Sequence, residues 1–229
     1  MPAVKPIFTR ETARFFKELA RNNRKDWMDA NRERYQTAVV QPFRRLLEEL
    51  SPAVIRMDIR LGTSGRGGAA SFSRINRDIR FAKDKTPYRP QMYLKFAAPF
   101  SGAGDAGELY VGLSASTVTI GFRIYAGAKV KESALGQITA PRVRQDGRWA
   151  AKQKARLGEK YESYWYRVEK GDWTERKGWP VAGEDWEKLR GWIVRRKLKP
   201  EVATRASFVG EVAKIFRELY PLLKFTSLG

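Results

Sequence analysis

The chain has 229 residues, of which 45 are Lys or Arg and 25 are Asp or Glu, a formal charge of +20, and it contains neither cysteine nor histidine. Disulfides, thiolate nucleophiles, zinc fingers, iron–sulfur clusters and every Ser-His-Asp or Cys-His mechanism are thereby excluded. A hydrophobic fraction of 42%, with 12% aromatic residues, is enough for a packed core, and no run of about 18 apolar residues is present to span a membrane.

Helix signals open the chain. Thr9 is placed to cap a helix with Glu11 in its first turn, where the positive end of the helix dipole favours an acid. Phe15, Phe16 and Leu19 form its apolar stripe, and Asn22-Asn23 end it. Asp26 is expected to cap a second helix, with Trp27, Ala30, Tyr35 and Val39 near one face. Pro42 breaks or restarts it, and Phe43, Leu46, Leu47 and Leu50 continue at helical spacing. The stretch 62–70, GTSGRGGAA, lacks both the GK[ST] ending and the G-x-G-x-x-G pattern of phosphate-cradling loops and reads as a flexible loop.

From Phe72 the period changes to two. In 72–81, Ile75, Ile79 and Phe81 share one parity with Arg77, while Arg74, Asn76, Asp78 and Arg80 share the other. This predicts a half-buried strand, with the charged Arg77 on its apolar side calling for a bend or bulge. Met92, Leu94 and Phe96 alternate with Tyr93 and Lys95. Leu109, Val111 and Leu113 alternate with Tyr110, and Val118, Ile120, Phe122 and Ile124 with Arg123 and Tyr125. The last two runs form a hairpin turning near Ser116-Thr117.

Helical signals return after Val130, with 149–160 the clearest segment. Short strands are predicted at 164–169 and 192–198, joined through a Gly, Pro and Trp-rich connection around Lys177 to Gly183. Six of the seven tryptophans fall between Trp149 and Trp192 and are expected to anchor core and loops. Ser207 is placed to cap a final helix striped by Val212, Ile215, Phe216 and Leu219 and ending before Pro221. The order predicts one α+β domain over 1–229: N-terminal helices at 8–50, a central antiparallel sheet in 72–126, and a mixed, mainly helical part with C-terminal helices over 130–229.

Charge is uneven along the chain. Residues 51–100 hold 10 basic residues against 3 acidic ones, and five of those basic residues sit in 74–88, RINRDIRFAKDKTPY. Here the sequence resembles a widespread, mainly bacterial family of domains of unknown function, marked by R-x-x-R-D-x-R-F followed by [DN]-K-x-x-Y. Arg74, Arg77, Asp78, Arg80, Phe81, Asp84, Lys85 and Tyr88 occupy its fixed positions. Phe8, Glu11-Thr12, Phe15, Leu19, Asn22-Asn23, Lys25, Trp27, Ala30-Asn31 and Tyr35 also look like that family. The likeness is strong over 8–96 and weaker beyond. The resemblance implies a family of unsettled biochemical role, and no catalytic residue comes with it.

Two physical readings of the motif stand side by side. On a strand, Arg74, Asp78 and Arg80 share a face, and Asp78 holds a guanidinium in plane for a phosphate or carboxylate. Alternatively, Asp78 and Asp84 pair with Arg77 and Arg80 in an internal network tied to the N-terminal helices, with Phe81 in the core. A second cluster, Tyr93, Lys95, Tyr110, Arg123 and Tyr125, would share the less apolar sheet face. It forms either a platform for single-stranded nucleic acid or a half-buried packing surface.

The leading functional expectation is recognition of a polyanion, nucleic acid or a phosphorylated ligand, through Arg74, Arg77, Arg80, Lys85, Tyr88, Lys95 and Arg123. The alternatives are an enzyme acting on a phosphorylated or carboxylated small molecule, with Asp78, Asp84, Lys85 and Tyr88 as its acid–base candidates, and an interaction module in a larger assembly. No cofactor or metal is expected, except Mg²⁺ in the enzyme reading. Basic residues are spread too widely for one membrane-binding amphipathic helix. The first ten residues lack the apolar stretch of a secretory signal, so a cytoplasmic location is expected. The oligomeric state is left open.

Overall fold

The N-terminal helix α1 (Arg10–Arg21) begins as its sequence dictates: the Thr9 side chain accepts a hydrogen bond from the Glu11 backbone N–H, and Asn22 closes the other end. Two short helices follow, α2 (Lys25–Ala30) and α3 (Arg32–Tyr35). The α2 cap position is Arg24 rather than Asp26, which sits in the first turn and pairs with Arg24. A single π-helical turn, Gln36–Val40, leads into α4 (Gln41–Met57), with Pro42 in the first turn, where its missing N–H disturbs nothing. The wider turn leaves the Ala38 carbonyl to accept a 2.7 Å hydrogen bond from the buried Thr12 hydroxyl. Arg34 pairs with both Glu11 and Glu18 and thereby ties α3 to α1.

The structure, a computed structural model, describes residues 5–61, 70–97, 107–126, 134–169, 172–181 and 183–227. The glycine-rich stretch falls outside them except for Ala70. That residue opens β1 (Ala70–Phe72), which runs antiparallel to β2 (Gln91–Ala97) with Phe72 opposite Leu94. Strands β3 (Glu108–Ser114) and β4 (Val118–Tyr125) form the hairpin predicted around Ser116-Thr117. Helices α5 (Ala134–Gln145) and α6 (Trp149–Leu157) come next, then β5 (Glu162–Glu169), β6 (Asp172–Lys177), α7 (Gly183–Glu187), β7 (Gly191–Leu198) and α8 (Phe208–Ser227). The fold is α+β: N-terminal helices, an antiparallel sheet in the order β1-β2-β3-β4-β7-β5-β6, and C-terminal helices. Among the described residues, no helix is long and apolar enough to cross a membrane.

Several elements depart from the sequence expectation, the short α7 among them. No strand spans 72–81, because β1 stops at Phe72. β6 has no counterpart in the sequence pattern: DWTERK is almost wholly exposed and is held by its ladder to β5, with Val168 opposite Trp173. α8 runs through Pro221 to Ser227. The missing proline N–H weakens one turn, but Leu219, Leu222 and Leu223 are all fully buried and hold the helix on course.

The chain divides into two compact units, each assembled from separated stretches. One holds Met1–Phe96, Tyr110–Ile120 and Lys197–Ile215; the other holds Ala97–Leu109, Gly121–Arg196 and Phe216–Gly229. Within the first, Phe8 meets Phe43 and Phe208 edge to face at 5.1 and 5.9 Å, beside the buried Phe15, Phe16, Leu46 and Leu50. Within the second, Trp192 meets Trp186 at 5.3 Å, Trp179 at 5.4 Å and Phe122 at 5.7 Å. Trp149 stacks on Phe225 at 3.6 Å. The Trp192 indole N–H donates to the Ser163 hydroxyl at 3.0 Å. The tryptophans are thus mainly core anchors, with Trp173 the exposed member.

Candidate functional site

The motif residues form a pinned loop in the first unit. At Ser73 the ladder changes character: its N–H still donates to the Tyr93 carbonyl, but its hydroxyl accepts from the Tyr93 N–H. Beyond it, 74–78 and 86–90 pair only sparsely. Arg89 N–H donates to the Ile75 carbonyl and Arg77 N–H to the Pro87 carbonyl, both at 2.8 Å, around a bridge between Asn76 and Tyr88. Pro87 carries no N–H to return the bond it accepts from Arg77, so the two segments do not extend into a regular ladder. This is why alternation at Ile75, Arg77, Ile79 and Phe81 does not produce a strand.

The loop is clamped from outside by Asn23. Its side-chain amide donates to the Tyr88 carbonyl at 2.8 Å and accepts from the Tyr88 N–H at 2.9 Å, replacing a strand partner with one side chain. The residues just after α1 and the end of the motif are therefore one construction. The sequence marks Asn23 as a helix-ending residue and as part of the family likeness; its pairing with Tyr88 has no local signal.

Both aspartates of the loop are engaged by arginines. Asp84 accepts from the Thr86 N–H and hydroxyl, each at 2.9 Å, and pairs with Arg77, which also reaches the Thr86 hydroxyl. The Thr86 N–H, then Arg77, hold the Asp84 carboxyl down at about 2. Asp78 takes a forked contact from Arg80, at 3.0 Å from Nε and 2.7 Å from the terminal nitrogen, plus the Arg80 N–H at 3.2 Å, and is likewise lowered, first by the Arg80 side chain. Lys85 Nζ donates to the Ile79 and Arg80 carbonyls, at 3.1 and 3.4 Å, and closes the tip.

Carboxylates held this low are poor proton acceptors near neutral pH. The Tyr88 ring is buried, so it offers no open face for stacking, and Phe81, placed in the core by the ion-pair reading, is instead 95% exposed. The charge left without a carboxylate partner is cationic. Of the six basic and two acidic residues in 73–90, Arg74, Lys83 and Arg89 are exposed and, among the described residues, form no ion pair. Arg80 is also open to solvent along much of its length.

The second predicted cluster divides. In the first unit, Tyr93 packs edge to face on Tyr110 at 5.7 Å, directly over Gly112, where any Cβ would strike the Tyr93 ring. Tyr110 is buried, and Lys95 lies on β2 opposite Ser71. In the second unit, Arg123 pairs with Glu108, and Tyr125 sits 6.0 Å from Tyr166 and over Gly191. These tyrosines are engaged with each other and with glycine backbone.

Among the described residues of the first unit are two cavities. One, of about 250 Å³, is lined by Phe8, Thr12, Leu113, Glu201 and their neighbours, the other by Ile7, Gln41, Arg45 and theirs; no motif residue lines either. Among the described residues, no group of three or more acids is placed to hold a metal ion. Comparison with curated proteins yields no match. Residues 11–225 match the family of conserved hypothetical proteins DUF2461, and with that match covering nearly its whole length, the chain belongs to this family.

Proposed function

We propose that the protein recognises a polyanion, with nucleic acid the leading ligand, at the loop 73–90. The observation that carries this reading is the division of charge within the loop. Arg77 and Arg80 are taken up by Asp84 and Asp78, while Arg74, Lys83 and Arg89 stay exposed on a backbone fixed by Asn23 and the Ile75 and Pro87 carbonyls. Cations held apart on a fixed backbone repel one another, and an anion relieves that repulsion without reordering the chain. Arg74, Lys83 and Arg89 therefore make the direct contacts. Arg77, Lys85 and Tyr88 shape the loop that carries them, and Arg80 does both.

Binding is favoured over proton-transfer chemistry because the acid–base candidates are committed elsewhere: Asp78 and Asp84 to arginines, Lys85 to carbonyls, Tyr88 to the interior. The test is fluorescence anisotropy with a labelled oligonucleotide at several salt concentrations. Replacing Arg74, Lys83 and Arg89 together with Ala is expected to weaken binding at low salt. It should also flatten the slope of log affinity against log salt by about 0.7 for each single-strand phosphate that no longer meets a cation. An unchanged slope would overturn the assignment of the site to this loop.

A further inference from the structure

Phe81 is the most exposed large apolar side chain among the described residues, at 95%, ahead of Ile59 at 77% and Val181 at 67%. Its exposure is not a consequence of a loose chain. Ala82 N–H donates to the Ile79 carbonyl, Lys85 Nζ ties the Ile79 and Arg80 carbonyls, and Asp78 fixes the Arg80 guanidinium. That guanidinium carbon lies 5.9 Å from the Phe81 ring centroid. The loop thus presents an aromatic ring to solvent beside Arg80, with the exposed Lys83 two residues further along the chain.

We propose that Phe81 is a stacking group for an unpaired base, so that the ligand of this loop is a single-stranded nucleic acid. The proposal rests on the polyanion reading of the same loop and narrows it. A phosphate-only ligand has no use for a bare phenyl ring, which water penalises. A base offers a π-face to Phe81 while its neighbouring phosphates meet Lys83, Arg74 and Arg89. Bases inside a duplex are already stacked on one another, so the ring selects unpaired ones.

The experiment compares two labelled probes of equal length and equal phosphate number, oligo(dT) and an abasic oligomer, against wild type, Phe81→Ala, Phe81→Leu and Phe81→Trp. Phe81→Ala is expected to weaken oligo(dT) binding by about 5- to 150-fold and to leave abasic binding unchanged. Phe81→Trp should keep oligo(dT) affinity, and Phe81→Leu, apolar but without a π-face, should not. Equal wild-type affinity for both probes, unaltered by Phe81→Ala, overturns the stacking role while leaving polyanion binding intact. Failure of wild type to bind either probe at low salt overturns both. Loss of binding to anionic phospholipid vesicles in Phe81→Ala, with oligo(dT) affinity unchanged, also overturns it, because the ring would then serve a membrane.

Discussion

The loop 73–90 and the tryptophan-rich stretch 149–192 gather the chain's most distinctive residues and use them in opposite ways. In the second, large rings are turned inward: Trp186 and Trp192 are fully buried, and the Trp192 N–H is satisfied by Ser163. In the first, Ile75 and Tyr88 are buried, while a phenylalanine and several cations face solvent. Burial of rings stabilises a fold by removing apolar area from water. A ring and cations left in water gain nothing of that kind, because they are hydrated in the folded and unfolded chain alike. On the polyanion reading proposed above, the contrast separates residues that hold the molecule together from residues offered to a ligand.

The largest effect should come from the buried side. Trp192→Ala is expected to cost about 3–5 kcal/mol in a denaturant melt, since it opens a cavity among Trp179, Trp186 and Phe122. Polyanion affinity per folded molecule should not change. A stability-neutral result would deny the cluster its role as a core.

The contrast is sharpened next at the clamp. Asn23→Ala removes both hydrogen bonds to the Tyr88 backbone and is expected to destabilise by about 1–3 kcal/mol. Hydrogen exchange at the Arg77 and Arg89 amides should rise, and polyanion affinity should fall with it. If exchange rises but affinity holds, the exposed cations do not depend on a fixed backbone.

A smaller effect is expected in acid. Glu18, lowered to about 2 chiefly by Arg34 and then Arg14, and Asp84, lowered to about 2, are both more acidic in the folded chain than their ordinary values of 4.5 and 3.8. Groups with depressed folded values stabilise above their ordinary values, and that contribution fades as pH falls from there toward about 2. Glu18→Gln should flatten this acid limb, measured as the melting midpoint against pH. A limb of unchanged slope would mean that the Arg34 pair contributes nothing.

The smallest stability effect belongs to the open cations. Replacing Arg74, Lys83 and Arg89 singly with Ala is expected to stay within about 0.5 kcal/mol in the same melt. A large loss would place those residues among the structural ones.

Much of the fold was legible in local pattern. The Thr9 cap, the alternations at 92–96, 109–113 and 118–124, and the strands near 164–169 and 192–198 follow from periodicity and turn chemistry. The departures have tertiary causes. β6 has no apolar alternation and exists through backbone pairing to β5, and α8 passes Pro221 because the leucines around it are buried. In the loop, residue identities singled out the stretch, but its shape depended on Pro87 across the pairing and on Asn23, 65 residues from Tyr88. Period two survives in 75–81 without a strand, so Phe81 could not be placed inside or outside from spacing alone.

The central claim is that the exposed cations of the loop, and not the overall charge of +20, bind the polyanion. The most direct measurement compares Arg74→Ala/Lys83→Ala/Arg89→Ala with a control triple variant that removes three exposed cations elsewhere, Lys17→Ala/Lys152→Ala/Lys214→Ala, both titrated with labelled oligo(dT) from low to moderate salt. The loop variant is expected to lose affinity and to show a shallower salt slope, while the control stays close to wild type. Equal losses in the two variants would contradict the claim, because binding would then follow net charge and not this loop.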